Sequence, residues 1–220
     1  MALYAIGDLH LSLSSDKPME IFGPGWQNYV ERIREGFADL TDEDVTVLCG
    51  DLSWGMSLEE SDRGLSDYGR EFIRELYRHH IYPDVSHLSD RGFWDLIEMA
   101  EGPVVASHSN SRALCPHRRN LTDEQFCAIR DSGGVVGLNF YLSFVGASSM
   151  DALVDHVEHL LTLGGEKTLC LGGDLDGCEV LAANMQGIQD VPRLYEALVS
   201  RGYDETLLYD LFWNNLRRLF

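Results

Sequence analysis

The chain has 220 residues with 45% hydrophobic content, which suits one domain or two small ones and is ample for a packed core. Its formal net charge of −19 at pH 7 argues against nucleic acid or an anionic membrane surface as a partner, because like charges repel. No apolar stretch approaches the roughly 20 residues of a membrane helix, and "MALYAIGDLH" lacks the basic start of a signal peptide, so we expect a cytoplasmic protein.

Short apolar runs alternate with amphipathic stretches along the chain. Six of the runs predict buried strands, namely "ALYAIG", "VTVLCG", "IYPDVS", "PVVAS", "GVVGLNF" and "TLCLGG". Helices are predicted over 26–38, 66–80, 90–100, 122–132, 151–163, 191–201 and 205–219. Thr122 and Gln125 form a capping box at the start of the fourth helix. This alternation predicts an α/β fold with parallel strands joined by crossovers.

One stretch interrupts the alternation. Residues 53–67, "SWGMSLEESDRGLSD", are polar and acidic with no clear period, and the motifs on either side differ in kind. We therefore predict a division into an N-terminal segment, 1–60, and a C-terminal part, 61–220.

Three polar residues directly follow apolar runs of the C-terminal part. His87 follows "YPDVS", His108 follows "PVVAS", and Asp174 follows "TLCLGG". The carboxyl ends of parallel strands are where functional side chains gather in α/β folds. A single histidine there is more often a hydrogen-bonding residue than a ligand, but two at equivalent positions with an aspartate at a third favour a metal site, such as one for Zn²⁺.

From about Gly64 to Phe220 the sequence resembles the C-terminal half of the membrane dipeptidases, peptidase family M19. The matching stretches are "GLSDYGREFIREL", "DVSHLSDRGFWDL", "PVVASHSNSRALCPHRRNLTDEQ", "GGVVGLNFY", "LGGDLDG" and "NNLRRLF". The resemblance implies a (β/α)₈ TIM barrel, of which this chain would hold a part. It also implies a zinc-dependent dipeptidase that hydrolyses dipeptides with a metal-activated water, with Mn²⁺ or Fe as alternative ions, and it leaves a homodimer open.

The resemblance also implies roles for individual residues. His87 and His108 match the two histidines that ligate the second zinc ion, Arg119 matches the residue that binds the free carboxylate of the dipeptide, and Asp174 matches the catalytic acid/base. A guanidinium suits the carboxylate because it presents a planar fork of donors. The alternative for Arg119 is that it caps a helix or pairs with surface acids.

The first-metal ligands of the family, a His-x-Asp pair and a bridging Glu, have no counterpart in the matching region, which leaves catalytic competence open. Residues 1–60 instead resemble the start of a calcineurin-like metallophosphoesterase, a βαβ segment. "AIGDLHLS" supplies its Asp-x-His signature, Asp8 and His10, and "VTVLCGDLSW" supplies its Gly-Asp signature, with Asp51 as a carboxylate that would bridge two metals. The later Asn-His and Gly-His-x-His motifs of that family are missing.

Two alternatives to the dipeptidase therefore stay open. One is a phosphoesterase, and the other is a catalytically incompetent fusion that binds metal or only oligomerises. A further hypothesis is that Asp8 and His10 replace the missing pair and Asp51 replaces the bridging Glu. The remaining histidines are expected to be solvated, namely His79, His80, His117, His156 and His159.

Overall fold

The computed structural model describes residues 3–7, 27–38, 45–49, 64–175 and 177–219. The chain forms two compact units, Met1–Glu101 and Gly102–Phe220. The boundary predicted near residue 60 lies outside the described residues and stays a prediction. Both units contain parallel strands and helices, so the predicted mixed α/β class is confirmed.

The first unit contains a parallel three-stranded sheet in the order β1-β2-β3. Its strands are β1 (Leu3–Gly7), β2 (Val45–Cys49) and β3 (Ile81–Tyr82). Gly7 and Cys49, the last residues of β1 and β2, are register partners. The third strand is shorter than "IYPDVS" predicts because Pro83 has no N–H to donate to a sheet.

Among the described residues of the first unit, the helices are α1 (Tyr29–Ala38), α2 (Asp67–Arg78) and α3 (Asp90–Met99). Serine side chains cap two of them, since Ser66 accepts from the amide of Gly69 and Ser89 accepts from that of Gly92. Asp95 of α3 accepts the backbone N–H of Leu65 at 2.8 Å and pairs with Arg70 at 2.9 Å. The Leu65 amide and then Arg70 lower the pKa of this carboxyl. Asp95 thus fastens α3 to the start of α2.

The second unit contains another parallel three-stranded sheet, in the order β4-β5-β6. Its strands are β4 (Val105–Ala106), β5 (Val135–Asn139) and β6 (Leu169–Gly173). A β-bulge between Leu138 and Asn139 shifts the register, so that Asn139 pairs with Gly173.

Two glycines of this sheet allow its backbones to approach closely. A Cβ on Gly137 would lie 2.0 Å from the carbonyl oxygen of Ser107, and one on Gly172 would lie 2.1 Å from the same atom. Neither distance is compatible with a side chain, so β5 and β6 meet the end of β4 backbone to backbone.

The helices of the second unit cover the sheet. They are α4 (Asp123–Asp131), α5 (Leu142–Val145), α6 (Met150–Thr162), α7 (Val191–Ser200), α8 (Glu205–Tyr209) and α9 (Asn215–Arg217), with a π-helical turn at Asp210–Asn214 and 3₁₀ turns at Gly165–Lys167, Ala182–Asn184 and Ile188–Asp190. The predicted capping box of α4 is confirmed. Fully buried apolar side chains fill the core, among them Phe126, Ile129, Val136, Leu153 and Leu194.

Asn215 attaches the C-terminal helical segment to β6. Its side-chain amide donates to the carbonyls of Glu166 and Leu169, and Asn215 is fully buried. In the part of the chain that the structure describes, no helix is both long and apolar enough to cross a membrane.

Candidate active site at the strand ends of the second unit

The loop that follows β4, residues 107–121, carries two of the predicted site residues and is called the β4 loop below. His108, half-buried, has a hydrogen-bond partner at each ring nitrogen. The guanidinium of Arg119 donates to its Nε2 at 3.2 Å, and its Nδ1 lies 2.7 Å from the hydroxyl of Ser107. This arrangement requires Nε2 to be the acceptor and places the ring proton on Nδ1. His108 and Arg119 are thus direct neighbours.

Arg119 is oriented by aromatic rings as well as by His108. Its guanidinium lies over the ring of Phe144, 5.4 Å from the centroid, and its backbone N–H donates to Nδ1 of His117 at 3.2 Å. The His117 ring in turn contacts Phe144, with centroids 4.5 Å apart. Burial and then the nearby arginines, Arg119 first, lower the pKa of His117. A neutral His117 suits the acceptor role of its Nδ1.

A buried asparagine sets the path of the β4 loop. Asn120, 1% exposed, donates from its side-chain amide to the carbonyls of Cys115 at 2.9 Å and Phe144 at 2.8 Å. Its side-chain oxygen accepts the backbone N–H of Asn110 at 3.3 Å. These three bonds fix the position of Asn120, which directly follows Arg119 in the sequence.

His156 also holds the β4 loop, and the expectation that it is solvated was wrong. It is 1% exposed on α6. Its Nδ1 accepts the backbone N–H of Ser111 at 3.2 Å, and its Nε2 donates to the carbonyl of Val145 at 3.1 Å. Burial lowers the pKa of His156. The ring is a buried hydrogen-bonding group because it lies on the apolar face of α6, three residues after Leu153.

Asp174 directly follows β6, as the sequence predicted. Its φ of 58° and that of Gly173, 78°, both lie in the left-handed region, which a non-glycine residue rarely adopts. One carboxylate oxygen, Oδ1, lies where a Cβ on Gly177 would come within 2.1 Å of it. The other, Oδ2, accepts the side-chain amide of Asn139 at 3.1 Å.

The structure brings His108, Arg119 and Asp174 into one hydrogen-bonded cluster of the second unit. Asn139 closes the connection, since its amide also lies 3.5 Å from the carbonyl oxygen of His108. Asn139 was not among the predicted site residues, although it stands at the end of the apolar run "GVVGLN".

His87 belongs to the first unit, in the turn after β3. Asp84 builds that turn, because its Oδ1 accepts both the backbone N–H of Ser86 at 2.9 Å and its hydroxyl at 2.8 Å. The other predicted ligands, Asp8, His10 and Asp51, lie outside the described residues.

A family model described as "Membrane dipeptidase (Peptidase family M19)" matches residues 47–220. The chain belongs to the M19 family. The match begins upstream of Gly64, where we expected the resemblance to start, and so includes Asp51.

Individual M19 relatives agree with this assignment. An uncharacterized protein in the pqqA 5'region of Klebsiella pneumoniae is 40% identical over 163 residues, which are 71% of this chain and 60% of that protein. A solved metallo peptidase from Rhodobacter sphaeroides, liganded with a phosphinate mimic of the dipeptide L-Ala-D-Ala, is 35% identical with a TM-score of 0.67 over 71% of this chain and 46% of its own. The solved M19 dipeptidase AC shares the fold, with 24% identity and a TM-score of 0.74 over 99% of this chain and 83% of its own.

The M19 chain described here spans 60% of the length of the Klebsiella protein and 46% of the Rhodobacter structure. The activity and substrates of the whole relatives therefore carry over only as proposals.

M19 membership implies a metal cofactor, and the donor types of the site suit one, since imidazole and carboxylate are common ligands of Zn²⁺. The number of donors falls short, however. Within the described ranges, no three histidine, cysteine, aspartate or glutamate side chains are arranged to hold a metal ion. Both ring nitrogens of His108 also have partners, so a metal at either one would displace Ser107 or Arg119.

Proposed function

We propose that this chain is a metal-dependent dipeptidase. The observation that carries the proposal is the cluster of His108, Arg119 and Asp174 at the strand ends of a chain that belongs to the M19 family. Two groups of this cluster suit the hydrolysis of a dipeptide by an activated water, namely a cation that can bind the substrate carboxylate and a carboxylate that can transfer protons.

In the proposed reaction Arg119 binds the free carboxylate of the dipeptide. A guanidinium forms two parallel hydrogen bonds with a carboxylate, and Phe144 restricts its plane from one side. A substrate that lacks a free C-terminal carboxylate would leave this cation without its partner. The enzyme would therefore prefer dipeptides to longer chains cleaved internally.

Asp174 acts as the acid/base of the proposed reaction. It accepts a proton from the attacking water as the C–O bond forms, and it returns that proton to the leaving amine as the C–N bond breaks. His87 and His108 are each proposed as metal ligands. The ion, Zn²⁺ or else Mn²⁺ or Fe, would supply Lewis acidity that favours hydroxide and polarises the carbonyl.

We extend the proposal to the architecture. Two parallel three-stranded sheets with helical crossovers, and the fold shared with dipeptidase AC, support a partial (β/α)₈ barrel. A division near residue 60, a homodimer and a cytoplasmic location belong to the same proposal and rest on the sequence alone.

A phosphoesterase activity of residues 1–60 is the second candidate. The strands that precede its two motifs are parallel neighbours, and their last residues, Gly7 and Cys49, are in register. Such a pair of strand ends suits two motifs that share metals. The same three residues, Asp8, His10 and Asp51, are the proposed substitutes for the first-metal ligands of the dipeptidases.

The test compares two adjacent arginines on two matched substrates. The purified chain, supplied with Zn²⁺ or Mn²⁺, is assayed on a dipeptide and on the same dipeptide with a C-terminal amide. We expect Arg119→Ala to lower kcat/KM for the free dipeptide roughly 10- to 100-fold, as the loss of a charged hydrogen bond does, and to reduce the preference over the amide. Arg118→Ala, which removes an exposed neighbour, should preserve that preference.

Each other outcome has a defined meaning. Equal loss on both substrates would contradict the role of Arg119 as the carboxylate-binding residue. No hydrolysis of any dipeptide by the wild type would overturn the dipeptidase, and hydrolysis of an aryl phosphodiester that Asp8→Ala abolishes would then favour the phosphoesterase. If the chain hydrolyses neither substrate and forms oligomers as its concentration rises, the catalytically incompetent fusion would be favoured.

A further inference from the structure

The three strands of the second sheet are joined at their carboxyl ends by one side chain. Asn139 ends β5, between the loop that begins with His108 and the turn that begins with Asp174. It is fully buried, and its amide nitrogen lies 3.1 Å from Oδ2 of Asp174 and 3.5 Å from the carbonyl oxygen of His108. Its side-chain oxygen accepts the backbone N–H of Tyr141 at 2.6 Å, which fixes which end of the amide faces Asp174.

A second asparagine fixes the backbone of Asn139. The side chain of Asn110, also fully buried, accepts the N–H of Asn139 at 2.9 Å and donates to its carbonyl at 3.0 Å. This pair of bonds imitates a strand neighbour, and it continues the β4–β5 pairing through the β4 loop. Asn139 therefore cannot rotate or shift without breaking buried hydrogen bonds.

Asp174 is confined on its other sides as well. Its backbone is in the left-handed region, Oδ1 occupies the space that a side chain on Gly177 would need, and its carbonyl accepts the thiol of Cys178 at 3.2 Å. The β-bulge at Leu138 places Asn139 opposite Gly173, the residue before Asp174. The register of the sheet thus places the amide of Asn139 next to the carboxylate of Asp174.

We propose that Asn139 is a positioning residue, which holds the carboxylate of Asp174 in the orientation that proton transfer needs. The inference rests on the proposed function, in which Asp174 is the acid/base. The N–H that Asn139 donates to Oδ2 limits rotation of the carboxylate, so Asp174 is held in one orientation.

The test exchanges the donor for an acceptor of the same shape. Asn139→Asp keeps the oxygen that accepts from Tyr141 and replaces the donating amide by a second carboxylate beside Asp174. We expect the carboxyl carbon signal of Asp174, followed by ¹³C NMR in the metal-free chain and identified by its loss in Asp174→Asn, to titrate at higher pH than in the wild type. Asn139→Leu, which lacks any donor, should shift the titration in the same direction.

Asn215→Asp is the matched control. Asn215 is an equally buried asparagine of the same unit, and this substitution likewise removes a buried donating amide, whose partners here are two backbone carbonyls. We expect it to lower stability without moving the titration of Asp174. In the activity assay, Asn139→Asp should lower kcat about ten-fold or more, since groups that orient a reacting side chain have effects of that size, and should raise the pH of the acidic limb. KM should change little.

The titration separates this inference from the proposed function. If the titration of Asp174 shifts in the Asn139 variants but the wild type hydrolyses no dipeptide, the contact between Asn139 and Asp174 is supported and the proposed dipeptidase activity is overturned. Hydrolysis by the wild type with an unmoved Asp174 titration in both folded Asn139 variants would overturn the inference and leave the dipeptidase standing. An equal shift in Asn215→Asp would also overturn it, because the effect would then follow from stability alone.

Discussion

The turn after β3 and the β4 loop start alike and are built differently. Each follows a two-residue strand and carries a predicted metal-binding histidine, His87 in one and His108 in the other. The turn is held by Asp84, which bonds a residue two positions away, and ends at the N-cap of α3. The β4 loop is held in addition by groups as far as 45 residues apart in sequence, as in the bond between Ser111 and His156. A short turn is encoded locally, whereas a long functional loop depends on the packing of the whole unit.

The largest effect is expected from removing the central hydrogen-bonding residue of the β4 loop. Asn120→Ala leaves the carbonyls of Cys115 and Phe144 and the N–H of Asn110 without their partner. We expect the free energy of unfolding, measured by urea denaturation, to fall by about 3 kcal/mol or more, since each buried unsatisfied group costs about 1–3 kcal/mol.

Asn214→Ala is the control for that substitution, because Asn214 is only partly buried and its amide donates to the side chain of Asp210 on its own helical segment. A loss below about 1 kcal/mol is expected there. Equal losses in the two variants would show that the β4 loop does not depend on Asn120.

A smaller effect is expected in the turn after β3. Asp84→Ala removes the acceptor of the Ser86 N–H and hydroxyl, and we expect a loss of about 2 kcal/mol in the same assay. Asp84→Asn retains an oxygen acceptor and should recover most of that loss. If Asp84→Ala cost more than Asn120→Ala, the contrast between a local turn and a tertiary loop would be reversed.

The smallest expected effect is a change in pH dependence. Burial puts the pKa of His156 below the unfolded value of about 6.5, so the unfolded chain binds the proton more readily. The contribution of His156 to stability is complete above pH 6.5 and is lost as the pH falls through the lower folded pKa. Urea denaturation between pH 7.5 and 5 should show a shallower decline for His156→Gln than for the wild type. Parallel curves would mean that His156 does not titrate on unfolding.

The pattern of apolar residues predicted the strands and helices well, because the buried face of each element is written in its own stretch of sequence. All six predicted strands are present, the strands are parallel, and the capping box at Thr122 is confirmed. The pattern did not predict that β3 and β4 would be only two residues long, because strand length depends on the neighbour's register. Nor did it predict the π-helical turn at Asp210–Asn214, since the sequence predicted one continuous helix over 205–219.

The candidate site was predictable where a residue follows its own strand. His108 and Asp174 were predicted from this position, and Asn139 could have been predicted in the same way from "GVVGLN". Helical spacing would have found His156, since it lies between Leu153 and Leu160 on one face of α6. The partners of Asn120 were not predictable, because Phe144 lies 24 residues away on an element that the sequence did not indicate.

The glycines at 137 and 172 restrict how this site can change. The peptide groups of β5 and β6 lie against the carbonyl of Ser107 with no space for a side chain between them. At these two positions the sheet is therefore packed main chain against main chain, whose chemistry is the same in every variant. Directed evolution of this part of the molecule would have to act through neighbouring side chains such as Tyr141 and Glu179, because a side chain at either glycine would collide with Ser107.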